Sequence, residues 1–270
     1  MCKALARLPL WQSLLPCLLT ALAAVNVARA EEAVVAERLD RMATAAANAT
    51  DARVASVLPR IEGVGPRLLA LRSYLRSGDR LAERWSWSQE QIAAYAGSPE
   101  QQELDAEVGR VRQEFEKANP GYTLFVNPQV RSLDIQLANW GRNESVAAAA
   151  ARLLLDAITH FLGRPVDDAA AAAELAAFLH GYVPEPIPTV AAPGLSPHGQ
   201  MRAIDFQVHR GDEIVAGPDT RTVDTTWMQE GWGGRLDAAV RTASRRFIGP
   251  LASPREPWHY TYTPVAVADR

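Results

Sequence analysis

Apolar residues recur at helical spacing through the first part of the chain, as at Val35, Leu39 and Met42, and the stretch from Glu31 to about Asn119 reads as helical. Its sharpest boundaries are chemical. Ser98-Pro99-Glu100-Gln101 combines an N-cap serine, a proline at the first helical position and a capping-box glutamine. The helix that starts there must stop at Asn119-Pro120-Gly121. Trp85, Trp87 and Tyr95 fall in the same region, and their spacing favours anchoring to a core over lining a ligand groove. At Tyr122-Thr123-Leu124-Phe125-Val126 the pattern changes to strand formers, closed by Asn127-Pro128. A domain boundary is expected just before this run, giving a helical N-terminal region over 31–120 and a second domain over 121–270.

Polar and apolar positions alternate into Ser132–Trp140, after which Glu144–Leu162 and Asp167–His180 read as alanine-rich helices. The proline-rich stretch Val183–Pro193 cannot continue as helix and becomes a loop. Arg202–His209 and Glu213–Ala216 read as two strands joined across Arg210-Gly211-Asp212. Gly233-Gly234 precedes a helical stretch over Arg235–Phe247. Pro250, Pro254 and Pro257 then impose an extended or looping path, and Tyr260-Thr261-Tyr262 reads as strand. The expected class is α+β: a small antiparallel sheet flanked by helices, with a helical N-terminal region.

The first thirty residues are of another kind. Lys3 and Arg7 precede a largely apolar run, Leu8 to Val25, that ends near Ala28-Arg29-Ala30, the layout of a secretory signal peptide cleaved after Ala30. A membrane anchor suits the run less well, since Pro9, Gln12, Ser13 and Pro16 interrupt a segment already short of the roughly 20 apolar residues of a span. Cys2 and Cys17 both lie in this leader, so the processed chain has no cysteine for a disulfide or a metal. It keeps 25 basic against 31 acidic residues, a formal charge of −6, which argues against a nucleic-acid partner. The expectation is an exported protein, periplasmic or in the cell envelope, with no integral anchor after cleavage.

Candidate chemistry sits in two motifs. One is Ser196-Pro197-His198 followed by Ala203-Ile204-Asp205; the other is Glu256-Pro257-Trp258-His259. Imidazole and carboxylate are both good zinc ligands, so His198, Asp205 and His259 supply three and leave a fourth position open, as a catalytic site requires. Glu256, three residues before His259, is the natural general base. His160, His180 and His209 are read as ordinary polar residues. Trp227 and Trp232 are read as core at least as readily as groove.

These motifs resemble the zinc metallopeptidase family that groups D-alanyl-D-alanine carboxypeptidases, lysostaphin-type and other peptidoglycan endopeptidases, and the hedgehog-like fold. The family pattern Ser-x-His-x-x-Gly-x-Ala-x-Asp is matched by Ser196, His198, Ala203 and Asp205, and Glu-x-Trp-His by Glu256, Trp258 and His259. Its upstream Arg-Ser-x-x-x-Gln is matched by Arg131, Ser132 and Gln136. The resemblance covers roughly residues 122–265, and Met201 stands where the family has glycine. It implies that Arg131 holds a developing oxyanion or positions substrate, and that Gln136, Ser196 and Trp258 contact substrate. It also implies an exported zinc peptidase that hydrolyses peptidoglycan stem peptides, most simply as a D,D-carboxypeptidase. An endopeptidase of the same family and a non-catalytic, zinc-stabilised binding module are the alternatives.

Overall fold

The computed structural model describes residues 15–163 and 168–264. In chain order the helices are α1 (Leu15–Thr50), α2 (Ala52–Val57), α3 (Val64–Ser77), α4 (Leu81–Arg84), α5 (Gln89–Tyr95), α6 (Pro99–Ala118), α7 (Leu133–Arg142), α8 (Glu144–Phe161), α9 (Asp168–Gly181) and α10 (Trp232–Ala243). The strands are β1 (Thr123–Val126), β2 (Ala203–Arg210), β3 (Glu213–Ala216), β4 (Phe247–Ile248) and β5 (His259–Tyr262). The class is α+β, as the hydrophobic pattern implies. Residues 1–14 of the expected leader lie outside the described residues, as does Asp167, the expected start of α9. The remainder of the leader belongs to α1. No described helix is long and apolar enough to cross a membrane.

The chain divides into two compact units. One takes the residues up to Arg76 together with Glu144–Ile187. It is helical, with α1 packed on α8 and α9 and with Leu39, Leu68, Tyr74, Leu153, Phe161 and Leu175 fully buried. Gly65 lets α3 approach α8 closely, since a Cβ there would sit 2.6 Å from the Ala150 carbonyl oxygen. Arg72 Nε closes the unit by donating to the Tyr182 carbonyl at 2.7 Å.

The other unit takes Ser77–Asn143 and Pro188–Arg270. Its sheet is antiparallel in the order β1-β2-β5-β4, and β3 also pairs with β2. The expected hairpin is present, turning at Gly211 with φ of +59°. β2 obeys the period-two rule: Ile204, Phe206 and Val208 point into the core, while Asp205, Gln207 and His209 share the half-buried face. Trp227, Leu236, Trp258, Tyr260 and Tyr262 fill the same core, so both Trp227 and Trp232 are packing residues.

α6 has the limits its ends encode, with Ser98 Oγ accepting from the Gln101 N–H and Asn119 as the C-cap. The Gln101 side chain accepts from Gly97 N–H instead of completing a box with Ser98; a full capping box forms at Ser88 and Gln91. Leu104, Val108, Val111 and Phe115 make one apolar stripe on α6, and it is buried against α10 and β1. The division into units therefore does not fall between residues 120 and 121. α6 shares a core with the sheet that follows it. Ser132–Trp140, an alternating segment in the sequence, is the capped helix α7, because Ser132 Oγ accepts from Ile135 N–H and Gln136 and Trp140, four apart, bury one face.

Phe115→Ala should destabilise this second unit by about 3–5 kcal/mol in urea unfolding. Hydrogen exchange should show β1 and β2 amides losing protection together with those of α6; loss confined to α6 would mean that the helix is not part of the sheet's core.

Candidate metal centre

A single turn and a strand pair assemble the centre. Pro197–Gln200 forms a short 3-10 turn carrying His198, and the chain reverses through Met201 into β2. Arg202 N–H donates back to the Pro197 carbonyl at 2.9 Å, closing the reversal. Met201 has φ of 51° and is the one non-glycine residue with positive φ among the described residues. A left-handed conformation costs an L residue about 1–2 kcal/mol, which is the physical reason that glycine suits this position. Here the Met201 side chain is instead buried in the core, where packing offsets that cost.

Asp205 of β2 and His259 of β5 are direct cross-strand partners. Their side chains therefore leave the same face of the sheet. His259 Nδ1 lies 2.9 Å from Asp205 Oδ1, and His198 Nε2 lies 3.3 Å from Asp205 Oδ2. The two imidazole rings meet edge to face at 5.0 Å between centroids. All three donor groups fall within 4.8 Å of one another. A tetrahedral ion with bonds of about 2.1 Å needs donors about 3.4 Å apart, so these separations suit one ion. His198, Asp205 and His259 can hold a metal ion.

Electrostatics favour the same use. Burial lowers the His198 pKa from 6.5 to about 4 against the opposing pull of Asp205, so the ring is neutral, as a ligand must be. Burial pushes the Asp205 carboxyl up, but the His259 hydrogen bond and the neighbouring His198, His259 and Arg131 side chains outweigh it and hold the group below its ordinary range. Asp205 is thus an anion at neutral pH.

Two further groups face this cluster. Glu256 Oε2 is 3.6 Å from His259 Nδ1. It is held there by a closed turn in which Glu256 N–H donates to Leu251, His259 N–H donates to Glu256 and Leu251 N–H donates to His259. Burial raises the Glu256 pKa, opposed by His259 and reinforced by Asp205. Arg131 Nη2 is 3.3 Å from Asp205 Oδ2, and its backbone N–H donates to the His198 carbonyl at 3.2 Å. A cleft of about 220 Å³ opens onto Arg131, His198 and Asp205, with Asn127, Gln129 and Gln207 as polar walls and Val130, Ile135, Met201 and Pro218 as apolar ones. Glu256 and His259 are not among its walls.

The residues expected to contact substrate are placed otherwise. Gln136 is 4% exposed, Ser196 7% and Trp258 2%. The Gln136 amide donates to Ser86 Oγ and to the Arg131 carbonyl, both at 2.8 Å, and accepts from Gly194 N–H at 2.9 Å, so protein groups use it fully. Trp258 packs on Trp227 at 5.6 Å. The Ser196 carbonyl accepts from Gly199 N–H within the ligand turn. All three support the centre from behind. Gln207 was legible as a wall from strand parity, two residues after Asp205; Asn127 and Gln129 carry no comparable sequence signal. His160 packs edge-on against Phe161 and tilted against Phe178, and His209 lies on Phe125.

No family model matches the chain, and no curated protein and no solved structure matches it.

In metal-free protein, unfolded His198 takes up a proton near pH 6.5 while the folded ring stays neutral to about pH 4. Between these values the unfolded state binds more protons, so His198 makes stability fall as pH drops through that window. Glu256, with its raised pKa, acts in the opposite sense. Urea midpoints of chelator-treated wild type and His198→Asn, compared between about pH 4 and pH 7, isolate the His198 contribution; the variant should show the shallower acid loss. Parallel curves would rule out a buried neutral imidazole.

Proposed function

We propose that this chain is an exported zinc-dependent peptidase acting on peptidoglycan stem peptides, as a D-alanyl-D-alanine carboxypeptidase. The observation that carries the reading is the convergence of His198, Asp205 and His259 with the half-buried carboxylate of Glu256 beside them. Two imidazoles and one carboxylate, with no cysteine among them, are a donor set of the kind found in hydrolytic zinc sites. The three short motifs that resemble the metallopeptidase family, and the signal-like N-terminus, support the substrate class and the export.

His198, Asp205 and His259 would hold the zinc, which would supply Lewis acidity toward a water and a peptide carbonyl. Glu256 supplies the proton traffic. Its raised pKa lets the carboxylate take a proton from the attacking water and return it to the leaving amine, so that the amide C–N bond breaks to a carboxylic acid and an amine. Arg131 is fixed through its backbone bond to His198 and its contact with Asp205, while part of its guanidinium remains exposed. Those N–H groups suit a carboxylate or developing oxyanion of a bound peptide. The amide-bearing walls Asn127, Gln129 and Gln207 match the backbone amides of a short peptide lying in the cleft.

Purified protein incubated with zinc, and separately with a chelator, on defined peptidoglycan fragments should release a terminal alanine by mass spectrometry only when zinc is present. Cleavage within a crosslink would make the protein an endopeptidase. Absence of any zinc-dependent product would favour a binding module.

Glu256→Gln should retain one equivalent of zinc by elemental analysis while kcat falls about 10²–10⁴-fold. Unchanged turnover would remove Glu256 from the mechanism.

A further inference from the structure

His198 sits on a single turn of four residues, Pro197–Gln200, too short to fix the direction of its own side chain. Besides the Arg202 and Arg131 N–H groups, what holds this turn comes from a remote part of the chain, residues 83–87, which the family resemblance does not reach. Trp87 N–H donates to the Gly199 carbonyl at 2.9 Å, and Ser86 N–H to the Gly194 carbonyl at 2.8 Å. In return, the Gln200 amide donates to the carbonyls of Glu83 at 2.8 Å and Trp85 at 2.6 Å. Ser86 Oγ donates to the Gly194 carbonyl at 3.2 Å and accepts from Gln136 Nε2 at 2.8 Å.

The fit is close wherever the two segments meet. A Cβ on Gly199, the residue after His198, would overlap Ser86 Oγ, and a Cβ on Gly194 would lie 2.8 Å from the Trp85 ring. Ser86 and Gln136 are both buried, and the three polar atoms of their side chains bond within the protein. A buried polar network with its partners satisfied admits one geometry where an apolar contact would admit several. These bonds fall on Gly194, Gly199 and Gln200, on both sides of His198, and the same Gln136 amide holds the carbonyl of Arg131.

We propose that residues 83–87 form a positioning strap that sets His198 as a metal ligand, with Ser86 and Gln200 as the positioning residues. This rests on the reading of His198 as a ligand. Groups that orient a ligand from behind typically change metal affinity by about 10–100-fold when removed. A purely scaffolding segment would alter only the folding equilibrium.

The test is competition for zinc against a chromophoric chelator, using full-length wild type, Ser86→Ala and Gln200→Ala. It is run at a temperature where circular dichroism shows each metal-free protein folded. Both variants should bind zinc at least about tenfold more weakly than wild type, with His198, Asp205, His259 and Glu256 all unchanged. Lower melting temperatures with wild-type zinc affinity in both variants would overturn the strap and leave the metal centre standing. Failure of wild type to bind zinc would overturn the metal reading and the strap together. Should Ser86→Ala not fold, Gln200→Ala, which removes only a side chain near the surface, decides alone by the same two outcomes.

Discussion

The antiparallel register of β2 with β5 is the constraint on which the centre depends. It sets Asp205 opposite His259, although 54 residues separate them in the chain. Strand parity then sends both side chains to one face while Ile204, Phe206 and Tyr260 enter the core. A slip of one residue would turn Asp205 toward the core and an isoleucine or phenylalanine toward the centre, at the cost of burying a charge and exposing large apolar groups. The hydrophobic core therefore enforces the ligand geometry. Phe206 N–H, donating to the Trp258 carbonyl at 3.0 Å, extends the pairing past its last ligand and pins the approach of Glu256 and His259.

Burial does the electrostatic part. In water, His198 would be partly protonated near neutral pH; removed from water it stays neutral, and only that form can donate a lone pair to a metal. Asp205 remains an anion in the same environment because three cationic or hydrogen-bonding neighbours outweigh its desolvation. Glu256, with fewer such partners, moves the other way. Two carboxylates that both face His259 are thus pushed toward opposite proton affinities by their surroundings.

Local signals were legible where a few adjacent residues decide the conformation. Ser98 and Pro99 start α6, Asn119 and Gly121 end it, and Arg210-Gly211-Asp212 turns the β2–β3 hairpin. The group of His198, Asp205 and His259, which could hold a metal ion, was legible as well, since its imidazole and carboxylate donors stand in two short motifs. The unit boundary was not legible, because α6 buries its stripe against α10, which begins more than a hundred residues later. Nor were the places of Gln136 and Trp258: residue type suggests a polar contact or a stacking surface, but packing encloses both.

The sequence by itself determined the class, the limits of α6, the β2–β3 hairpin and the donor types of the candidate centre, because capping, periodicity and donor type are properties of neighbouring residues. Tertiary structure alone decided that Asp205 faces His259, that Met201 occupies a left-handed turn within the core, and that Ser86 reaches Gln136 and the loop bearing His198. These are contacts between segments tens to more than a hundred residues apart. They depend on how apolar faces pack together, and no short stretch of sequence encodes that arrangement.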